Sequence, residues 1–445
     1  MGAVFLITLD ATLQPLALVS IGESFGASRP STVWVLSAFS ISLATFVVAA
    51  GRLADRTGRR QVFLVGLALY VLGSVGGWLA PELWVLVLCR AAQGAGAAFV
   101  MPASLGLILA VWPADDQTRA ITAWTAVGGV AGALAPTLGG LLIDVWGWRA
   151  AYALNVAIGV PSFLAARSLL TETERKVASR LPDFVGALLV AASLGMLTLS
   201  LVQGRTWGWS DSRIIAAFAL AAVLVPLIRH RILGHPAPIV EPRLLKLRTY
   251  RRALFIAIAI PSFLFPYFVM MVQYLEQVWD YRPLRAGLAL LPFPAAATLA
   301  SVLAGWLSRR FDERTIAVAA MATTTVAVVW LRLVPGPDPA YWTAFFVPIF
   351  LGGIGGWGMG LPMINAIGAR DLDNETYSLG MGVLSTARQV GALTGLAVAF
   401  GLLGNVSDAQ LFDRFQQIWT VLVVLSVLGV FVALSLPRRS VPRRS

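Results

Sequence analysis

Residues Gly51–Arg60 read "GRLADRTGRR", a short polar turn set between two apolar runs near 33–52 and 61–80. A helix rises about 1.5 Å per residue, so about 20 apolar residues cross a hydrocarbon layer roughly 30 Å thick. Two runs of that length joined by so short a turn form a helical hairpin through a membrane. Gly51 and Gly58 permit the tight backbone the turn needs. Arg52, Arg56, Arg59 and Arg60 mark its side as cytoplasmic.

The rest of the chain repeats the pattern. Of 445 residues, 58% are hydrophobic and 13% charged, whereas soluble domains run at about half apolar and about a quarter charged. Further apolar spans lie near 3–21, 83–110, 121–144, 150–170, 183–203 and 212–230. The last six lie near 252–275, 284–307, 314–333, 341–363, 378–403 and 417–436. The chain is therefore an all-α polytopic membrane protein of about 14 transmembrane helices. A β-barrel would show alternating segments of about ten residues instead. The first span is no signal peptide, because it lacks a basic leader and a small-residue cleavage site and contains Asp10. Met1 stands so close to it that a short leader upstream is expected.

With the N-terminus inside, about 24 of the 34 Lys and Arg residues fall in cytoplasmic segments and about 8 outside. Both termini are thus expected in the cytoplasm, with the protein in the plasma (inner) membrane. The net charge of +12 becomes a positive-inside signature with anionic lipid headgroups as partner, not a nucleic-acid footprint. One cysteine, Cys89, excludes an internal disulfide, and the two histidines, His230 and His235, share one loop, so no metal site is expected.

The helices group as six, two and six. Residues 1–175 form an N-terminal six-helix bundle, 176–245 a two-helix insert with a cytoplasmic linker, and 246–445 a C-terminal six-helix bundle with a basic tail. The linker, from about Arg229 to Arg252, carries Pro236, Pro238 and Pro242. "GWLSRRFDER" (Gly305–Arg314) follows the second helix of the last six as "GRLADRTGRR" follows the second of the first six. Parallel repeats of this kind suggest a transporter whose pathway runs between the two halves.

Asp10 lies inside "VFLITLDATLQPLALVSI" (Val4–Ile21), roughly 16 to 18 Å below the outer surface. A charge at that depth costs about 2.5 to 3.5 kcal/mol even on lenient scales, so it should face the protein interior. A carboxylate in such a seat can load a proton from one side and release it to the other. A static ion pair with Arg90, about 11 Å deep, is the other reading, and the two are compatible. In the turn, Asp55 pairs with Arg59 or faces a helix N-terminus, either as a conformational latch or beside plain positive-inside anchors. Gly128, Gly132, Pro136 and Gly140 stand four apart, with Gly139 beside them, and line one helix face where another backbone can approach. The proline bends that helix.

These segments resemble the major facilitator superfamily, in its fourteen-helix drug–proton antiporter branch. "GRLADRTGRR" matches the loop motif G-x-L-x-D-R-x-G-R-R, with Gly51, Asp55, Arg56, Gly58, Arg59 and Arg60. "LCRAAQGAGAAFVMP" is similar to the R-x-x-Q-G motif through Arg90, Gln93, Gly94 and Gly96, and "AVGGVAGALAPTLGGLL" to the antiporter motif. "LDAT", "WGWRAAYALNV" and "STARQVG" resemble further segments of this branch. The family usually has glycine before the motif proline, where this chain has Ala135.

The resemblance implies two six-helix bundles plus two inserted central helices. It also implies proton-coupled antiport of small hydrophobic or amphipathic compounds, with Asp10 and Arg90 in coupling, no cofactor beyond the proton gradient, and a monomer. A dedicated exporter or symporter of a metabolite, siderophore or lipid is the alternative, and an enzyme is not expected. Trp34, Gln93, Trp124, Gln273, Tyr274, Trp357, Asn365, Arg388 and Gln389 are substrate-cavity candidates by position in relatives, with packing roles the alternative. Glu276 and Asp280 are expected as solvated acids at the outer mouth. "GIGGWG" (Gly353–Gly358) matches G-x-G-x-x-G but follows no strand, so it reads as a close-packing helix face. "NET" at Asn374 is expected on the cytoplasmic side, where no glycan is added.

Overall fold

Helix ends fall where glycine or a polar residue interrupts the apolar runs. Gly26 closes the first helix in the left-handed conformation (φ 58°), and its N–H bonds back to the Glu23 carbonyl. Asp183, Asp211 and Asp312 open others by accepting backbone N–H groups of the first turn. The computed structural model describes residues 1–113, 116–172, 182–308, 310–370, 372 and 377–436. Asn374, the tail from 437 and most of the basic loop after the sixth helix lie outside the described residues.

Among the described residues there are 14 helices long and apolar enough to cross a membrane, and no strand. They are α1 Gly2–Phe25, α2 Arg29–Thr57, α3 Arg59–Trp78, α4 Leu83–Val111, α5 Gln117–Trp146, α6 Arg149–Leu169 and α7 Phe184–Trp207. The others are α8 Ser212–Gly234, α9 Arg248–Gln277, α10 Pro283–Leu307, α11 Glu313–Leu333, α12 Tyr341–Ala369, α13 Tyr377–Leu403 and α14 Asp408–Leu434.

The last helix starts at Asp408, nine residues before its expected position near 417. Its opening "DAQLFDRFQQ" is amphipathic. Leu411 and Phe415 are buried while the polar residues between them stay largely accessible, so hydropathy alone cut the helix short.

α1–α6 pack on one another, and α9–α14 do likewise. Small residues set the closest approaches. A Cβ on Gly66 would stand 2.6 Å from Phe99 Cβ, and one on Gly73 2.9 Å from the Cys89 carbonyl, so α3 and α4 meet backbone to backbone. The two sets join through α1 with α9, α2 with α13, and α5 with α10. α7 lies along α2 and α13 at once, placing Leu194 against Ala44 and Leu393. α8 packs on α7. "GIGGWGMG" forms a π-helical stretch inside α12, where Gly353 abuts the Phe293 carbonyl and Gly358 would bring a Cβ to 2.6 Å from Ala300 Cβ.

Candidate functional site

α1 carries Asp10 in its middle, with 0% of its surface exposed. α4 brings Arg90, 1% exposed, so that Nη1 donates to Asp10 Oδ2 at 2.6 Å. The second carboxylate oxygen accepts from Gln14 Nε2 at 2.9 Å and from Asn155 Nδ2 of α6 at 2.7 Å. Tyr152 donates its hydroxyl to Gln14 Oε1 at 3.2 Å and so steadies that donor. The guanidinium also donates to Gln93 Oε1 at 2.9 Å and to the Val35 carbonyl at 3.1 Å, and lies 4.5 Å from the Phe39 ring centre. Gln93 continues the chain to Ser74 Oγ at 2.8 Å.

Both charges are therefore heavily hydrogen-bonded, the condition under which a buried ion pair persists in an apolar core. The ion pair expected as one reading of Asp10 is formed. Each of the two charges is thus the other's counter-ion across the α1–α4 contact. Sequence reasoning missed Gln14, Tyr152, Asn155 and Ser74. Gln14 carried a signal, standing four residues after Asp10 on the same helix face. Asn155 and Tyr152 lie in the quoted "WGWRAAYALNV".

Of the cavity candidates, Arg388 and Asn365 are brought into contact, and the others are spread over separate surroundings. Gln93 is fully buried in the Asp10–Arg90 network. Tyr274 is sealed inside the C-terminal set, bonded to the Gly336 carbonyl at 2.8 Å among Trp279, Phe345, Phe415 and Trp419. Gln273 is buried and donates to the Pro15 carbonyl of α1 at 3.1 Å. Arg388 donates from Nη1 to Asn365 Oδ1, while Gln389 and Trp34 are half-buried on α13 and α2. Trp124 donates to Ser104 Oγ at 3.1 Å. Trp357 makes an aromatic cluster with Phe265, Phe268 and Phe293, centroids 5.0 to 6.1 Å away, and its indole N–H is buried with no acceptor among the described residues.

The turn expected over Gly51–Arg60 narrows to Gly58, because Gly51–Thr57 continue α2 as helix and Arg59 already opens α3. Across that junction Asp55 Oδ1 lies 3.2 Å from Arg59 Nη2, and Arg59 Nη1 donates to the Gly106 carbonyl at 2.8 Å. Glu172 supplies the second carboxylate. It accepts the N–H groups of Arg60 and Gln61 at 3.0 and 3.1 Å, occupying the N-terminus of α3. Gly58 is at φ 113°, and the Glu172 carboxylate fills the place a Cβ would take. Arg60 donates to the Arg167 carbonyl at 2.6 Å, and Arg52 reaches Glu241 of the linker at 3.8 Å.

The α5 stripe behaves as two halves. A Cβ on Gly139 would meet Leu13 at 2.6 Å and one on Gly140 the Pro283 carbonyl at 2.5 Å, while Gly287 of α10 abuts the Pro136 carbonyl. A Cβ on Gly128 would reach only Thr8 Oγ1, at 3.7 Å, and Gly132 meets nothing within 4 Å. The expectation of one continuous packed face thus holds only from Pro136 onward.

The tight contacts lie at the end opposite the Gly51–Arg60 turn. There Arg29 donates to Gln277 Oε1 at 2.8 Å and to the Val406 carbonyl at 2.7 Å, and Arg282 pairs with Asp144 at 3.3 Å. Asp280 is exposed there as expected, at φ 52°. Glu276 is not. It is 7% exposed, and neither carboxylate oxygen has a hydrogen-bond partner among the described residues. It lies on the face of α9 shared with Gln273 and Gln277, turned toward the other helix set rather than the solvent.

Two six-helix sets closed on each other at one end, beside a buried ion pair, define a polytopic membrane protein of the two-bundle transporter class. The family model described as Major Facilitator Superfamily matches residues 1–396 and 253–445. The chain is 31% identical over 418 residues to the multidrug resistance protein Stp of Mycobacterium tuberculosis, covering 93% of this chain and 76% of that one. It is 30% identical over 441 residues to the cephamycin export protein CmcT of Amycolatopsis lactamdurans, covering 97% and 90%. The solved peptide transporter POT in complex with sulfate superposes with a TM-score of 0.69 at 12% identity, over 97% of this chain and 93% of that one. The chain belongs to the major facilitator superfamily.

Proposed function

We propose that this protein is a proton-coupled antiporter that exports small hydrophobic or amphipathic compounds by alternating access. The observation that carries the reading is the Asp10–Arg90 pair, fully buried at mid-membrane depth within a web of adjustable donors. The units 1–175 and 246–445 rock against each other, with 176–245 between them. Protonation of Asp10 releases Arg90 and favours one arrangement, and substrate favours the other. Asp55, Arg56, Arg59 and Arg60, hinged at Gly58 with Gly51 on α2 beside them, act as the latch, with Arg52 tying it to the linker. Pro136 and Gly140 form the surface over which α10 swings, while Gly139 and Gly128 face α1 and Gly132 stands clear of both. The Trp357 cluster offers a lipophilic substrate an aromatic wall and an unused hydrogen-bond donor.

The chain carries out no covalent chemistry and needs no cofactor in this reading. It works as a monomer in the plasma (inner) membrane with both termini cytoplasmic. Anionic headgroups meet the basic end, where a cavity of about 500 Å³ is lined by Arg248, Arg251, Arg252, Phe255 and Ser435. A dedicated exporter is the second reading, favoured by the similarity to a cephamycin export protein.

The test uses purified protein in liposomes that hold a pH-sensitive dye, with lipophilic cations and neutral drugs added in turn under an imposed proton gradient. Wild type is expected to give compound-dependent proton flux that Asp10→Asn loses while still binding the compound. Equal coupling in the variant would make Asp10 structural. Flux with one compound class alone would select the dedicated exporter.

A further inference from the structure

We propose that Glu276 is a second proton-binding site, on the C-terminal bundle, and that the end of the protein where it sits closes only when that site is loaded. The inference rests on the two-bundle, proton-coupled reading above and adds a residue to it.

The geometry points there from three sides. Glu276 lies one position from Gln277, which holds Arg29 of α2, and three from Gln273, which holds the Pro15 carbonyl of α1. Its side chain is thus part of the seam between the bundles. Both its oxygens are buried without a donor among the described residues. The nearest charged group on α1 is Glu23, of like sign. Arg29 is the cation on α2, and it is committed to Gln277, the Val406 carbonyl and Asp408 at the start of α14. A carboxylate ion in this seat would have neither solvent, donor nor counter-ion, whereas a carboxylic acid needs far less. The contrast with Asp10 is direct, because three side-chain donors surround that carboxylate.

The consequence is a linkage. When the seam opens, water reaches Glu276 and it ionises, and in that state it cannot be drawn back between α1 and α9. Closing the end therefore takes up one proton at Glu276, apart from any proton at Asp10. Low pH favours the closed end and high pH the open one.

The experiment replaces Cys89 with serine and places nitroxide labels at Ser24→Cys and Ser407→Cys, on either side of the seam. Spin–spin distances are then measured in liposomes between about pH 5 and pH 9. Wild type is expected to move from short to long distances as pH rises, by at most about tenfold in open-to-closed ratio per pH unit for one linked proton. Glu276→Gln should favour short distances and lose one proton's share of the pH response, Glu276→Asp should regain that share, and Asp10→Asn should keep it. A shift in Glu276→Gln equal to wild type would overturn the proposal, as would a wild type that does not respond or an Asp10→Asn variant that loses the whole response. The Glu276 variants bear on this site alone, and the dye-flux assay with Asp10→Asn decides the antiporter reading separately.

Discussion

Gly287 of α10 rests against the carbonyl of Pro136 on α5 with no room for a side-chain carbon between them. Gly140 of α5 is nearly as close to the carbonyl of Pro283. Each helix thus uses a glycine where the other presents backbone, and the closed end depends on that exchange. Pro136 also removes an N–H from α5 and lets it bend at the contact.

Gly287→Ala should therefore hold the bundles apart at this end. Overpacking of this kind costs about 1 to 3 kcal/mol, which shifts the closed-to-open ratio by about 5- to 150-fold. Spin-label distances across the Ser24 and Ser407 positions should lengthen. Gly132→Ala is the control, since nothing lies within 4 Å of that position, and its distances should match wild type.

Arg90→Ala leaves Asp10 buried with only amide donors. Breaking a buried pair from one side costs about 3 to 5 kcal/mol. Asn155→Ala removes a single hydrogen bond to the same carboxylate and costs about 1 to 3 kcal/mol. Apparent melting temperatures in detergent should fall in the order wild type, Asn155→Ala, Arg90→Ala. Asp10→Asn combined with Arg90→Met should recover much of the loss, because it removes both charges together.

Glu172 caps the first turn of α3 from a distant part of the chain. Glu172→Ala should release the amides of Arg60 and Gln61, at a cost of about 0.5 to 2 kcal/mol for a lost cap. Hydrogen exchange in peptides spanning Gln61 should speed up, with no change at the middle of α3. Gly58→Ala should have a larger effect, since its φ of 113° is hostile to a side chain and the Glu172 carboxylate occupies the space.

Trp357→Ala should weaken binding of flat aromatic compounds by about 2- to 12-fold, the value of a single aromatic contact. Trp357→Phe should restore the stacking share while losing any hydrogen bond to the indole N–H. Fluorescence titration with one aromatic compound and one aliphatic cation separates the two effects. Equal loss for both compounds would mean that Trp357 supports the fold and does not touch substrate.

Helix number and the deep pairing of Asp10 with Arg90 were legible because each rests on a strong local cost. An apolar run of about 20 residues has few other uses, and a mid-membrane carboxylate needs a partner. The Asp55–Arg59 pair was legible for a similar reason, since four residues across so short a junction bring opposite charges within reach. Glu172, Asn155 and Tyr152 were not. They reach their partners across more than a hundred residues, and no period in the sequence encodes that distance. Tyr274 and Gln93 look like cavity residues by type, yet each found a complete set of partners inside its own bundle. Glu276 misled in the opposite sense. It stands two residues from the end of α9, where acids are usually wet, and the closing of one bundle on the other buried it.

The inserted helix α7 gives the seam between bundles two unlike flanks. On one, Leu194 bridges Ala44 and Leu393, and Ala187 packs with Val48 and Val383, so the gap is roofed along the membrane. On the other, α5 and α10 touch from Pro136 onward and leave Gly129 and Gly132 facing open space. α7 thus acts as a strap across one flank, gripping both bundles at once, while the other flank is held by the α5–α10 contact around Pro136.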